Sequence, residues 1–181
     1  MEERLRLSRE STEEEVDATQ YRRIVGSLRY LVHTRPDLAF AVGYVSRFMR
    51  RPTTEHQQAV KRILRYVAGT SDYGLHYPRC LGAAHFIGYS DSDHAGDIDT
   101  SKSTSGTLFF LSKCLISWQS VKQQVVALSS CVAEYIAATT ASTQALWLAR
   151  LLGDLLGRRR GSGAQGGQQV RLGLGEESSL P

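Results

Sequence analysis

Apolar and polar residues follow three different rhythms along the chain. Residues 1–16 have no apolar period; they are polar and acidic, and a disordered leader is expected there. From Thr19 a helical period sets in, with Ile24, Leu28 and Leu31 spaced by four and three. Thr34 and Pro36 then signal a stop and a fresh start, Thr34 as N-cap and Pro36 in the first turn. The second helix predicted from there runs to about Met49 and ends at Arg50-Arg51-Pro52. Thr53 or Thr54 caps a third, with Val60, Ile63, Leu64 and Val67 on its apolar side and Gly69 closing it. Three such helices with short links predict a compact helical unit over residues 17–78.

Beyond Gly69 the period shortens. Residues 73–77 (Tyr-Gly-Leu-His-Tyr) read as a short strand ended by Pro78. Residues 85–90 read as a strand that runs into the acidic cluster Asp91, Asp93, Asp97 and Asp99. Thr104–Leu111 and Leu115–Gln119 read as two more strands, with Ser112-Lys113 as the tight turn between them. Strands so closely linked favour an antiparallel meander. A long helix then runs from Ser130 to about Leu156, with Ala137, Ala141, Ala145, Leu148 and Leu152 along one face. Past Gly157 all periodicity is lost, and residues 158–181 are expected to be a disordered tail. The fold class is therefore α+β: a helical unit, then a three-stranded meander with one long helix over residues 79–157.

Composition narrows the function classes. With 181 residues, 41% of them apolar, the chain can bury a core. No apolar run reaches about 18 residues, so no membrane-spanning helix is expected. Glu2, Glu3 and Arg4 follow Met1 with no secretory h-region, so an intracellular rather than secreted protein is expected. Cys80, Cys114 and Cys131 are scattered and fit neither a disulfide framework nor a zinc site. Charge is uneven: −3 over residues 1–15, +6 over 17–78, −1 over 79–157 and +2 over 158–181. A basic block beside an acidic one suits a nucleic-acid enzyme, though a basic helix face is also often merely solvated.

Asp91, where a strand gives way to the acidic loop, and Glu134, near the start of the long helix, are the candidate catalytic and metal-ligating pair. If the helix crosses the meander, their carboxylates converge at one end of the sheet. Hard cations such as Mg²⁺ prefer oxygen ligands and take few carboxylates from the protein. Two such ions about 4 Å apart cleave phosphodiesters, which takes three or four carboxylates to hold them. The competing reading makes the aspartates a solvated turn and Glu134 a helix-terminus charge. His94 reads as a turn residue, Trp118 and Trp147 as packing residues, and Cys131 lacks a partner for nucleophilic work.

The motifs are more specific. Residues 88–97 (GYSDSDHAGD), 102–106 (KSTSG), 116–120 (ISWQS), 126–130 (VALSS) and 133–135 (AEY) occur in an order that resembles the ribonuclease H domain of copia-type retrotransposon polyproteins, plant elements above all. Residues 21–31 and 34–38 resemble the segment joining the reverse transcriptase to that domain, so the resemblance covers about residues 1–157. It implies a ribonuclease H fold, Mg²⁺ as cofactor and an RNA–DNA hybrid as partner. Asp91 matches the first catalytic Asp and Glu134 the catalytic Glu. The resemblance includes no polymerase aspartate pair in this segment.

The departures matter as much. Val132 stands where the family has Glu, so a capping box begun by Ser129 loses its acidic member, worth about 0.5–1 kcal/mol. The third Asp, in a DN-x-SA motif, and a fourth carboxylate are not found. Residues 166–181 can, however, be encoded so that the frame beginning two bases earlier reads KVDNKSALALAKNPLF, which contains that motif. A frameshift between about Gly157 and Gly161 is the expectation, and with it a nuclease left without half its ligands. An exposed sheet edge and an uncovered sheet face are expected with it. The alternative is a non-catalytic nucleic-acid-binding module. It would grip phosphates through Arg22, Arg23, Arg29, Arg47, Arg50, Arg51, Lys61, Arg62 and Arg65. Completion of the site by another chain is a third option.

Overall fold

The computed structural model describes residues 7–79, 85–155 and 171–174, the last four by their backbone. Helix α1, Ala18–Leu31, starts where the Asp17 carboxylate accepts a hydrogen bond from the Thr19 N–H. It buries Tyr21, Val25 and Leu28, with Ile24 and Leu31 packed beside them. The second predicted helix is a composite. A 3₁₀ turn at Pro36–Leu38 leads into α2, Ala39–Val45, and a second 3₁₀ turn follows at Ser46–Phe48. Thr34 does not cap it; its hydroxyl bonds back to the Leu31 carbonyl.

Arg35 does the work at this corner. Its guanidinium takes the Asp37 carboxylate at 3.0 and 2.7 Å and reaches the Thr70 carbonyl at 2.9 Å, tying α2's entrance to the end of the third helix. Those bonds hold Asp37 below the usual carboxylate range. Helix α3, Thr54–Gly69, begins at Thr53 in a capping box whose N3 member is His56. His56 is fully buried, stacked on Phe48 with ring centroids 4.1 Å apart, and burial lowers its pKa. The three helices close one core around Val25, Val42, Val45, Phe48, Val60 and Ile63.

Two expectations for irregular segments need correction. The leader is docked from residue 7 onward; residues 1–6 lie outside the described part. Leu7 is buried in the helical core with its N–H on the Tyr44 hydroxyl, and Glu15 bridges Thr53 in antiparallel fashion. Residues 73–77 form no strand: Tyr73 lies over the Arg35 guanidinium, and the Tyr77 hydroxyl bonds the Leu115 carbonyl. Side-chain contacts replace the ladder that the alternation suggested.

The meander is formed by β1, Phe86–Ser92; β2, Thr104–Leu111; and β3, Cys114–Lys122. Ser112 takes φ 57° in the two-residue turn between β2 and β3, a conformation tight hairpins demand. Helix α4, Ser130–Leu155, lies on one face of the sheet. Its fully buried positions are all alanine, Ala133, Ala137, Ala141 and Ala145. Their small side chains let the helix lie close over the stacked pair Phe86 and Phe109. Four residues of the segment expected to lack structure, Arg171–Leu174, instead pair as β4, parallel to β1, with Leu174 opposite Ser90. The sheet order is β3-β2-β1-β4. The remainder of the expected tail and Cys80 lie outside the described residues.

Helical unit and sheet are joined by polar contacts. The Trp118 indole N–H donates to the Val32 carbonyl at 3.0 Å. Arg47 crosses to Asp97 and to the Thr104 hydroxyl, at 3.3 and 2.9 Å.

Candidate metal centre and nucleic-acid surface

Strand β1 alternates strictly. Phe86 and Ser90 are buried toward α4, whereas Tyr89 and Asp91 are exposed on the other side. Asp91 thus emerges at the strand's end, opposite Gly106, whose missing side chain leaves open space. Glu134 comes from the second turn of α4. The Ser92 N–H donates to Asp91 Oδ1 at 2.8 Å and to Glu134 Oε1 at 3.1 Å, so the two carboxylates meet on a single donor. Glu134 Oε2 is buried and has no hydrogen-bond partner. A carboxylate oxygen in that position calls for a cation or a water.

Gln123, for which the sequence holds no periodic signal, positions this pair. It is 6% exposed. Its amide nitrogen lies 3.0 Å from Ser92 Oγ, 2.9 Å from Ser105 Oγ and 3.0 Å from the Ala133 carbonyl. One side chain therefore ties β1 and β2 to the first turn of α4. Ser129 caps that turn as expected, its hydroxyl accepting from the Val132 N–H at 3.2 Å.

The other aspartates serve the loop. Asp93 Oδ1 accepts from the Thr104 N–H at 2.8 Å, and a Cβ at Gly96 would collide with its carboxylate. Asp99 receives Ser8 Oγ and the Arg9 N–H. Asp97, 3% exposed, holds Arg47, Lys122 and Thr100 together. Burial alone would raise its pKa, but the bonds from Lys122 and Thr100 and the charges of Lys122 and Arg47 outweigh this and lower it. Among the described residues no group of three or more His, Cys, Asp or Glu could hold a metal ion. The strand next to β1, Arg171–Leu174, carries no carboxylate.

The nine basic candidates separate. Arg47 is not available to a phosphate: its side chain is 11% exposed, paired with Asp97 and stacked on Tyr44. Arg51 is exposed but paired with Glu15 at 2.5 Å. Arg22 rests on the Met49 carbonyl, and Arg62 is half-buried. Arg23, Arg29, Arg50, Lys61 and Arg65 are exposed.

Known proteins include clear relatives. The chain is 52% identical over 138 residues to the retrovirus-related Pol polyprotein from transposon TNT 1-94 of Nicotiana tabacum, covering 75% of this chain and 10% of that one. It is 47% identical over 139 residues to the corresponding polyprotein from transposon RE1 of Arabidopsis thaliana, covering 77% and 9%. It is 50% identical over 129 residues to the secreted RxLR effector protein 161 of Plasmopara viticola, covering 71% of this chain and 90% of that protein. The chain is a homologue of a segment of plant retrotransposon Pol polyproteins. This polyprotein segment spans about a tenth of the transposon proteins it matches. No protein-family model matches it, and no solved structure does.

Proposed function

We propose that this polyprotein segment joins the end of a reverse transcriptase to a ribonuclease H-like domain whose metal centre is reduced to half. The observation that carries this reading is the meeting of Asp91 and Glu134 on the Ser92 N–H, beside a neighbouring strand that supplies no carboxylate. The unpartnered Glu134 Oε2 and the exposed Asp91 carboxylate suit a hard cation such as Mg²⁺. When bound, such an ion supplies water activation and charge neutralisation at a phosphodiester. Asp91 and Glu134 would hold it, with Gln123 fixing the backbone that aligns them. Two ions about 4 Å apart need more carboxylates than this pair. RNA–DNA hybrid, the substrate the resemblance implies, is therefore left uncut.

The frameshift explains the loss of the third Asp: its bases persist, read in another register. Codons for residues 165–181 that do not yield the DN-x-SA reading would remove this explanation. Ion binding tests the half-site itself. Titration with Mn²⁺, followed by its electron paramagnetic signal, is expected to show one weak site, lost in Asp91→Asn and in Glu134→Gln. Two sites, or a site indifferent to both substitutions, would contradict the reading.

A second reading is favoured by the exposure of Arg23, Arg29, Arg50, Lys61 and Arg65: nucleic-acid binding without turnover. Its mark is affinity that falls steeply with salt.

A further inference from the structure

Two cavities of about 720 and 380 Å³ lie between the helical unit and the sheet. They share Ala39, Trp118, Gln119 and Ser120, so they form one continuous groove from Arg29 to Asp91. Aromatic rings stand along it. Tyr30 is 81% exposed, Phe40 49% and Tyr89 43%. Each of the rings along the middle and far end is held in place. Phe40 stacks parallel on Tyr44 at 6.0 Å, Tyr89 meets Phe110 edge-on at 5.9 Å, and Trp118 is pinned by its bond to the Val32 carbonyl. Gly26 and Gly43 form part of the wall without side chains.

Exposed rings and the half-buried Trp118 lining one groove, with Arg29 among its walls, match the flat faces of unpaired bases and the charge of their backbone. The surrounding helical unit carries +6 over residues 17–78, complementary to phosphate. The rings cannot stack on bases that are already paired. We propose that this groove binds single-stranded nucleic acid, with bases stacked on Phe40, Trp118 and Tyr89 and the phosphates facing Arg29. This rests on the nucleic-acid reading above and is independent of cleavage.

Fluorescence anisotropy of the full chain with a labelled single strand of about 12 nucleotides tests it, with duplex and hybrid of the same sequence as competitors. The single strand is expected to bind in preference to both. Phe40→Ala and Tyr89→Ala, both at half-exposed positions, are each expected to weaken it about tenfold. Arg150→Ala, on the exposed side of α4 and away from the groove, is expected to leave most of the affinity. In a Trp147→Phe background, binding is expected to quench the Trp118 emission. Binding with neither quenching nor sensitivity to Phe40 and Tyr89 overturns the groove while leaving the basic-surface reading intact. No binding to any nucleic acid overturns both.

Discussion

Asp97 anchors Arg47 of the helical unit against the sheet, and its replacement gives a quantitative test. Asp97→Asn keeps the shape and one acceptor oxygen but removes the charge. Arg47, 11% exposed, is then left without a counter-ion, while Lys122, 23% exposed, can turn toward water. Removing one partner of a buried pair costs about 3–5 kcal/mol. The partial escape of Lys122 argues for the lower end, about 3 kcal/mol. The sign with pH follows from the lowered pKa of Asp97. Its contribution is fully present above the ordinary aspartate value of about 3.9 and is lost as pH falls through the lower folded-state value. Urea denaturation of both proteins is therefore expected to show a constant difference from about pH 5 upward that shrinks below about pH 4. A difference under about 1 kcal/mol at pH 7, or one that grows on acidification, would refute the argument.

Gln123→Leu fills the same space but strips the bonds to Ser92, Ser105 and Ala133. Two hydrogens serve those three acceptors, and the unpartnered Gln123 Oε1 goes too, so a loss of about 2 kcal/mol in chemical denaturation is expected, accompanied by weaker Mn²⁺ binding. Val132→Glu restores the missing member of the capping box below Ser129 and is expected to stabilise the chain by about 0.5–1 kcal/mol; an unchanged midpoint would show that the turn needs no such partner.

Elements with strong local periodicity were legible in the sequence. The strand expected at Thr104–Leu111 and the helix from Ser130 have the predicted bounds or nearly so, because each carries its own apolar rhythm. Asp91 and Glu134 could be named because motif order ties them together, and the structure brings them to one donor. What could not be read depended on partners far away in the chain. Leu7 is one apolar residue in an acidic stretch, and only the distant Tyr44 and helical core make it an anchor. Arg47 looked like its basic neighbours until Asp97, fifty residues on, claimed it. Gln123 is unremarkable in sequence because its role comes from three elements meeting around it. The pairing of Arg171–Leu174 beside β1 likewise follows from an available sheet edge rather than from any local rhythm.

The central claim is that two converging carboxylates survive without the ligands needed for cutting. A single-turnover assay tests it most directly: excess full chain, labelled RNA–DNA hybrid, and Mg²⁺ or Mn²⁺. Cleavage is expected to be no faster than that of Asp91→Asn and of the metal alone. Metal-dependent cleavage that disappears in Asp91→Asn would contradict it.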